Sequence, residues 1–358
     1  MGTQSSSVAG ARDRARLAVI GAGWWAVHNH IPTAIKSGHA ELSAVCRKGA
    51  RELEDVKRAF GFAYASEDVD ALLRDVPLDG AIICSPHGLH FEHASKALDA
   101  GLHVLVEKPM TTSTDDARRL VARAEAAGKE IVVPHGWNFR PFTTKARALV
   151  AGGAIGQVRH VAMSMASPAE ALFSGQPYPG TEKDMFRPPA STWADPKAHG
   201  GYGWGQLPHI LGCLFRIAEL TPVAVSAIAG ASATGADIYN AATIKFADGV
   251  TGSLSGAGTV PMNSRFQVDI RLFGTEGMLL LDLEQERLVL RRNDDRNEDV
   301  PITAGSGNYE CVEPVNRFID ICRGVPAVNE APGIVGLKSV EVIDAMYRSI
   351  ASGRMEDV

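Results

Sequence analysis

The feature that most constrains the fold of this chain is a glycine turn close to its N-terminus. A short apolar run, 17–20, ends in a G-x-G-x-x-A pattern that begins at Gly21 and leads toward a helix. Gly21 permits a tight turn, Gly23 lets the backbone approach a pyrophosphate, and Ala26 lets the helix pack close to the sheet. Its N-terminal amides then face the phosphates. We therefore predict a dinucleotide-binding turn in which Gly21, Gly23, Trp24 and Trp25 contact the cofactor.

The segments that follow this turn alternate between two hydrophobic patterns. Short apolar runs typical of buried parallel strands occur at 42–46, 80–84, 103–106 and 130–133. Stretches with helical character lie between them, at 50–60, 69–74, 89–100 and 115–127. Alternation of this kind predicts an α/β domain, a parallel sheet with helices on both faces. We assign it to residues 15–138.

Beyond about Pro141 the pattern changes to strands that follow one another. They are expected at 158–165, 223–229, 241–246, 250–255, 266–273 and 278–283, with glycine turns between several of them. Helices are expected at 207–217 and 337–350. Consecutive strands predict a second, α+β domain over 139–358 with an antiparallel sheet. The irregular stretch 167–203 is rich in proline and glycine, and loops of this length are usually functional.

The end of the second predicted strand bears on the choice of cofactor. A carboxylate at this place binds the ribose 2′-hydroxyl of NAD, whereas arginine accommodates the 2′-phosphate of NADP. This chain has Cys46-Arg47-Lys48 here, with no carboxylate before Glu52. Two cations suit a phosphate better than a hydroxyl. The pattern favours NADP, with Arg47 and Lys48 as phosphate ligands; NAD, with a solvated basic loop, is the alternative.

The composition excludes several other classes of protein. A net charge of −5 gives no reason to expect a nucleic acid as partner. The five cysteines are scattered without a C-x-x-C pair, which predicts reduced thiols and no zinc site. No apolar run is long enough to span a bilayer, and the first sixteen residues lack the apolar core of a signal peptide. We expect a cytoplasmic protein; the start 1–6 formally matches a myristoylation pattern, but a polar tail is the preferred interpretation.

Four further segments, taken with the glycine turn, carry a family resemblance. Residues 85–90, S-P-H-G-L-H, are similar to a T-P-N-x-x-H motif, and 107–109 form an E-K-P motif. Residues 136–140, G-W-N-F-R, are similar to G-F-N-R-R, and the stretch from Gly200-Gly201 to His209 is similar to G-G-x-x-x-x-D-x-x-x-H. In this order and spacing the chain resembles the glucose-fructose oxidoreductase / inositol dehydrogenase (Gfo/Idh/MocA) family of NAD(P)-dependent oxidoreductases, over residues 17 to 350.

The resemblance implies a fold, a substrate class and roles for particular residues. It implies a Rossmann domain followed by an open, mostly antiparallel sheet that often serves as the oligomer interface, hence a homo-oligomer, dimer or tetramer. It also implies sugar, glycoside or cyclitol substrates. Lys108 would hydrogen-bond the reacting oxygen, and His209 would act as acid and base. The residues expected from the motifs to contact the cofactor are Ser85, Pro86, His87, His90, Glu107, Lys108 and Asn138.

The side chains of Lys108 and His209 suit the oxidation of an alcohol, independently of the resemblance. Oxidation of a secondary alcohol needs a base, and histidine has an unperturbed pKa of roughly 6.5. A lysine at the carboxyl end of a parallel strand can stabilise negative charge that develops on oxygen. The chain departs from the family pattern at Gly205, where the family commonly has aspartate. Either Gln206 orients the histidine or the substrate, or the acid role moves to a residue such as Tyr202.

The remaining candidates concern the substrate and metals. Trp137, Arg140, Tyr202 and Gln206 are candidate substrate contacts. Aromatic residues in and beside the stretch 167–203 either line the substrate site or pack locally; they are Tyr178, Phe186, Trp193, Tyr202 and Trp204. Histidines recur every third residue over 87–93, but no carboxylate or cysteine completes a ligand set, so no metal is expected.

These observations predict an NAD(P)-dependent oxidoreductase. Hydride would pass between the nicotinamide and a secondary alcohol or ketone of a sugar, glycoside or cyclitol. Two alternatives remain open. One is an enzyme whose tightly bound dinucleotide is reduced and reoxidised within each turnover, during glycoside cleavage or epimerisation. The other is a non-catalytic sensor of dinucleotide or sugar.

Overall fold

The computed structural model describes residues 11–358, so the myristoylation pattern at 1–6 lies outside the described residues. The first domain is built on a six-stranded parallel sheet. Its strands are β1 (Ala15–Ile20), β2 (Ala40–Cys46), β3 (Tyr64–Ser66), β4 (Gly80–Ile83), β5 (His103–Val106) and β6 (Ile131–Val132). They lie in the order β3-β2-β1-β4-β5-β6, which is that of a dinucleotide-binding Rossmann sheet. The predicted α/β fold is confirmed.

The helices of this domain follow the strands as the alternation predicts. They are α1 (Ile31–Ser37), α2 (Ala50–Phe60), α3 (Val69–Asp75), α4 (His90–Asp99) and α5 (Thr114–Ala127). A π-helical turn, Ala26–His30, precedes α1. Asp68 caps α3, since its carboxylate accepts hydrogen bonds from the amides of Asp70 and Ala71. β3 was not predicted, because it has only three residues and no apolar run.

The second domain is built on a nine-stranded sheet. Its strands are β7 (Val158–Ala166), β8 (Pro222–Ala231), β9 (Asp237–Phe246), β10 (Thr251–Ala257), β11 (Gln267–Gly274), β12 (Gly277–Asp282), β13 (Arg287–Arg292), β14 (Glu298–Pro301) and β15 (Glu356–Asp357). The order is β14-β13-β12-β11-β7-β10-β9-β8-β15. All neighbouring pairs are antiparallel except β7 and β10. The sheet is therefore mixed but mostly antiparallel, as predicted.

Within residues 11–358, helices cover only one face of the second sheet. Along β9 the residues alternate between buried and exposed, so that Ala242 and Ile244 face the core while Tyr239 and Thr243 face outward. The buried face packs against α10 (Leu207–Ile217) and α12 (Gly333–Ser352), and α6 (Pro141–Ala151) in turn packs against α10. α12 also packs against α5, and thereby joins the two domains.

A helix from the C-terminal part of the chain completes the core of the first domain. α11 (Val312–Arg323) packs against α1, β1 and β5. Its Phe318 and Cys322 lie against Gly80, where a Cβ would stand only 2.8 Å from the Phe318 ring and 2.4 Å from the Cys322 sulfur. β4 therefore begins with glycine because α11 lies directly on its backbone.

The stretch 167–203 runs from the second sheet to the carboxyl ends of the first sheet's strands, and we call it the covering segment. It contains the short helices α7 (Glu170–Phe173) and α8 (Ala190–Trp193) and enters α9 (Tyr202–Gly205), which directly precedes α10. Among the described residues, no helix is long and apolar enough to cross a membrane.

Candidate active site

The glycine turn adopts the conformation that its sequence predicts. Gly21 has a φ of +87°, and a Cβ there would lie 2.3 Å from the backbone nitrogen of Ser85. Glycine is therefore needed both for the backbone conformation and for the close approach of the end of β4. At Gly23 a Cβ would meet only the Gly21 carbonyl oxygen, at 3.9 Å, so this position faces open space. The turn leaves room for a ligand in front of the following helix.

A cavity of about 730 Å³ opens at the carboxyl ends of β1, β2, β4 and β5. It is lined by all the predicted cofactor contacts except Asn138: Gly21, Gly23, Trp24, Trp25, Arg47, Lys48, Ser85, Pro86, His87, His90, Glu107 and Lys108. Within residues 11–358 the buried Ser85 hydroxyl has no hydrogen-bond partner, so it is available to a ligand. The volume, the glycine turn and this free hydroxyl fit a dinucleotide.

Glu107 ties the glycine turn to the end of β5. Its Oε1 accepts hydrogen bonds from Trp25 Nε1 at 2.8 Å and from His30 Nε2 at 2.7 Å. Its Oε2 accepts one from the Lys108 amide at 3.0 Å. Burial favours the neutral acid, but the bond from His30 and the positive charge of Lys108 outweigh it and lower the pKa of Glu107. Glu107 is therefore a carboxylate that holds the walls of the cavity together.

His90 joins the ends of β4 and β5 in a similar way. One ring nitrogen lies 2.7 Å from the Pro109 carbonyl oxygen and the other 2.7 Å from that of Ser85. Nearby, the His87 ring packs edge-on against Trp193 of the covering segment, with 5.3 Å between ring centroids. Burial lowers the pKa of His87 to about 3, so this ring is neutral at physiological pH.

Arg47 and Lys48 lie at the solvent-exposed end of the cavity. The Arg47 side chain donates hydrogen bonds to the carbonyl oxygens of Ala22, at 3.1 Å, and Lys48, at 3.2 Å. Its guanidinium carbon lies 3.9 Å from the centroid of the Phe186 ring. Lys48 Nζ donates to the carbonyl oxygen of Glu67 at 2.9 Å. Both cations are therefore held at the end of β2.

Lys108 lies at the opposite, buried end. Its Nζ donates a hydrogen bond to the Gly205 carbonyl oxygen at 2.7 Å and lies 5.2 Å from the centroid of the Trp193 ring. Only 6% of the residue is exposed. Burial lowers the pKa of Lys108, and the negative charge of Glu107 offsets part of this effect. An ammonium group in this position is poorly solvated and can bind a polar ligand atom strongly.

His209 lies in α10, near enough to Lys108 for the ammonium charge to affect the protonation of its ring. Burial, then the charges of Lys108 and His135, lower the pKa of His209 well below its ordinary value. Its ring packs edge-on against Tyr309, with 4.4 Å between centroids. Among the described residues Nδ1 has no hydrogen-bond partner, and His209 is not part of the cavity wall. The ring is neutral, and no carboxylate of the described chain fixes its tautomer.

The place of the family's aspartate is occupied by an aromatic ring. A Cβ on Gly205 would lie 2.7 Å from two ring carbons of Phe173 and 3.4 Å from Trp193. Phe173, fully buried in the covering segment, therefore fills the space that a side chain at 205 would need. What Gly205 provides instead is its backbone carbonyl, the acceptor for Lys108. Gln206 is buried beside it, and its Oε1 has no partner within the described part of the chain.

Tyr202 lies in the core of the second domain. Its hydroxyl accepts a hydrogen bond from Ser167 at 3.1 Å and donates one to the Met165 carbonyl oxygen at 3.2 Å. Burial raises the pKa of Tyr202 above its ordinary value. The side chain lies outside the cavity wall, and both of its hydrogen-bond partners belong to the second domain.

Four other predicted site residues also lie outside the cavity wall; they are Gln206, Asn138, Trp137 and Arg140. Asn138 Nδ2 donates to the Gly212 carbonyl oxygen at 3.0 Å, and Trp137 Nε1 donates to that of Gly307 at 2.9 Å. Arg140 forms an ion pair with Glu310 at 2.8 Å. The G-W-N-F-R segment thus connects α10 with the chain before α11. Trp137 still approaches the catalytic candidates, since its ring centroid lies 5.9 Å from that of His209.

Several residues at this site carry no sequence motif. His135 is buried beside His209, and within residues 11–358 neither of its ring nitrogens has a hydrogen-bond partner. Asp184 of the covering segment accepts a hydrogen bond from Trp24 Nε1 at 3.0 Å and lies 3.2 Å from His28 Nε2. Pro189, Thr192 and Trp193 complete the cavity wall, so the covering segment contacts both ends of the cavity. Across the described chain, no group of three or more potential ligand side chains is arranged to hold a metal ion.

Comparison with known proteins agrees with this architecture. Residues 15–135 match the oxidoreductase family with an NAD-binding Rossmann fold, GFO/IDH/MocA, and residues 143–280 match the C-terminal domain of the same family. The chain belongs to this family.

The relatives with names are dehydrogenases and reductases. The chain is 29% identical over 251 residues to 1-carboxy-3-chloro-3,4-dihydroxycyclohexa-1,5-diene dehydrogenase of Comamonas testosteroni. The matched residues make up 70% of this chain and 59% of that protein. The chain is 32% identical over 143 residues to D-glucoside 3-dehydrogenase of Escherichia coli, and these residues are 40% of this chain and 41% of that protein. The chain thus spans roughly half the length of these relatives. A levoglucosan dehydrogenase in complex with NADH and levoglucosan shares the fold, with a TM-score of 0.74, 18% identity and coverage of 96% and 99%.

Proposed function

We propose that this protein is an NAD(P)-dependent dehydrogenase or reductase that acts on a secondary alcohol or ketone of a sugar, glycoside or cyclitol. The observation that carries the proposal is Lys108, a buried ammonium group at the inner end of a dinucleotide-sized cavity. The names of the relatives, which include a D-glucoside 3-dehydrogenase and a cyclic diol dehydrogenase, support the substrate class. When bound, the dinucleotide supplies the hydride acceptor or donor.

Lys108 is the residue that binds the reacting oxygen. An ammonium group has three N–H donors, and the Gly205 carbonyl accepts one of them. The others are available to a substrate oxygen. A buried cation stabilises negative charge on that oxygen more strongly than an exposed one would, because little water screens it. Glu107 and Gly205 keep Lys108 in place from two sides.

His209 is the second proton-handling group, in the direction of alcohol oxidation. Its lowered pKa keeps the ring neutral at physiological pH, so it can accept a proton but is a weak base. In the direction of ketone reduction, Lys108 is the better proton donor, since it carries the proton that His209 lacks. Gln206 follows Gly205, whose carbonyl accepts the hydrogen bond from Lys108, and its own side-chain oxygen is free within the described residues. In this scheme Gln206 accepts a hydrogen bond from a substrate hydroxyl.

We further propose that NADP is preferred to NAD. Arg47 and Lys48 support this preference, because both cations stand at the end of β2, where the ribose of the cofactor binds in this fold. Glu67 and Asp68 line the same part of the cavity and favour NAD instead. One carboxylate oxygen of Asp68 is already engaged, however, as the cap of α3. The cations therefore decide the proposed preference.

A screen of sugars, glycosides and cyclitols with NADP⁺ and NAD⁺, followed by nicotinamide absorbance, tests the proposed function. We expect reduced cofactor to accumulate with at least one substrate, and faster with NADP⁺. A dinucleotide that co-purifies and shows no net change while a glycoside is cleaved or epimerised would contradict net hydride transfer. It would favour internal cycling of a tightly held cofactor. Binding of dinucleotide and sugar without any chemical change would identify a sensor.

The open face of the second sheet is the surface proposed for self-association. It exposes Ile228 and Tyr239, which are 73% and 47% accessible. Exposed apolar side chains on one face favour a protein partner, and a second copy of the chain is the partner that the resemblance implies. Sedimentation analysis is expected to give a dimer or tetramer, and a monomer that persists at high concentration would contradict it.

A further inference from the structure

The solvent-exposed end of the cavity contains a contact between the two domains that bears on cofactor selectivity. Phe186, in the covering segment, presents its ring to the guanidinium group of Arg47, whose central carbon lies 3.9 Å from the ring centroid. Arg47 belongs to the first domain, at the end of β2, and Phe186 lies far away in the sequence. A guanidinium group stacked on an aromatic ring is held by cation–π attraction, and its edge is left free for hydrogen bonds.

The hydrogen bonds of Arg47 show how completely this group is fixed. Nε donates to the Lys48 carbonyl oxygen and Nη1 to that of Ala22. Guanidinium has five N–H donors, so three are left, and these have no hydrogen-bond partner in the part of the chain that the structure describes. Arg47 is thus immobilised on one face and at two of its donors, while three donors remain for a ligand at the cavity.

The covering segment is itself anchored next to this contact. Asp184, two residues before Phe186, accepts a hydrogen bond from Trp24 Nε1 and lies 3.2 Å from His28 Nε2. Tyr178 packs edge-on against Trp24, with 6.0 Å between ring centroids. The position of the Phe186 ring is therefore set by contacts with the same turn that holds the dinucleotide.

We propose that Phe186 is a specificity-determining residue that positions Arg47 for the 2′-phosphate of NADP. A flexible arginine loses side-chain entropy when it binds a phosphate, whereas an arginine already stacked has lost it before binding. Phe186 thus strengthens binding of the phosphorylated cofactor and leaves NAD binding unchanged. The inference rests on the proposed preference for NADP.

Direct binding measurements separate this role from a general effect on the fold. NADP⁺ and NAD⁺ are titrated into the full-length protein, with the quenching of tryptophan fluorescence as readout, because Trp24, Trp25 and Trp193 line the cavity. For Phe186→Ala we expect the dissociation constant for NADP⁺ to rise about two- to fivefold, while that for NAD⁺ stays unchanged. Phe186→Tyr keeps an aromatic ring and is expected to restore NADP⁺ binding. Met185→Ala, the exposed neighbour, is the matched control and is expected to alter neither constant.

A double-mutant cycle tests whether Phe186 acts through Arg47. In an Arg47→Ala background, Phe186→Ala is expected to have no further effect on NADP⁺ binding. Equal weakening of both cofactors by Phe186→Ala, or no change in either, would overturn the inference. If Arg47→Ala itself leaves the preference unchanged, the proposed choice of NADP fails as well. If Arg47→Ala weakens NADP⁺ but Phe186→Ala does not, only the role of Phe186 fails.

Discussion

The two ends of the cavity place cations in opposite surroundings. At one end, Lys48 is exposed and Arg47 is half-buried, and neither forms an ion pair within residues 11–358. At the other, Lys108 is 6% exposed and burial lowers its pKa. An exposed cation keeps its charge at every physiological pH and suits the binding of a phosphate. A buried amine is closer to losing its proton and suits the transfer of one. The division predicts that binding and chemistry can be impaired separately.

The largest effect is expected from Lys108→Ala. Removal of the group that binds the reacting oxygen is expected to lower kcat by about a hundred- to ten-thousandfold. Dinucleotide binding, measured by tryptophan quenching, is expected to stay near the wild-type value, because Glu107 and the glycine turn are untouched. Lys36→Ala, at an exposed site outside the cavity, is the matched control. Turnover near wild type in Lys108→Ala would remove the assigned role.

Arg47→Ala is expected to have the next largest effect, confined to binding. Loss of a charged donor to the 2′-phosphate is expected to raise the dissociation constant for NADP⁺ by about ten- to hundredfold. The constant for NAD⁺ is expected to change little, so the ratio of the two constants is the quantity to measure. High salt is also expected to raise the dissociation constant of the wild type for NADP⁺, because this end of the cavity is solvated and salt screens its charges. An unchanged ratio in the variant would contradict the preference for NADP.

The pH dependence of ketone reduction tests the proposed role of Lys108 as proton donor at the buried end of the cavity. Lys108 donates a proton only as the ammonium ion, which is present below its pKa and is lost as the pH rises through it. Because burial lowers this pKa, the alkaline decline of kcat is expected at a pH below 10.5, the ordinary value for lysine. Lys108→Arg is expected to be slower but to lose this decline, since arginine stays protonated. A decline that is identical in the wild type and in Lys108→Arg would assign it to another group.

A smaller effect is expected at Gly205, where the chain departs from its family. A Cβ there would overlap the ring of Phe173, and overpacking of this kind costs about 1–3 kcal/mol. Gly205→Ala is therefore expected to lower the melting temperature. Combined with Phe173→Leu, it is expected to destabilise less than the sum of the two single changes, because the smaller side chain gives room. Additive losses would show that Phe173 does not occupy the space at position 205.

The comparison of the two ends also explains how far the sequence could predict the site. The glycine turn, the E-K-P motif and the residues after β2 and β4 form the cavity because their positions follow from strand order and local backbone geometry. Asn138 carries a family motif as well, but its amide is engaged by Gly212. The motif identifies the segment that contains Asn138. The hydrogen-bond acceptor of its side chain, however, depends on how the second domain packs against that segment.

The residues that no motif predicts come from segments without periodicity. Asp184 and Phe186 lie in the covering segment, and their partners Trp24 and Arg47 are far away in the sequence. Phe173 fills the space at Gly205 for the same reason: only the folded chain brings them together. The missing carboxylate was visible in the sequence, but the aromatic ring in its place was not.

The most direct test of the separation between the two ends is the kcat of Arg47→Ala at saturating cofactor. Measured with the substrate that the screen identifies, kcat is expected to stay within about twofold of wild type, because Arg47 contributes equally to binding in the ground and transition states. A large fall in kcat, with cofactor saturating, would contradict the account. Arg47 would then take part in the chemistry, and the two ends of the cavity would not act independently.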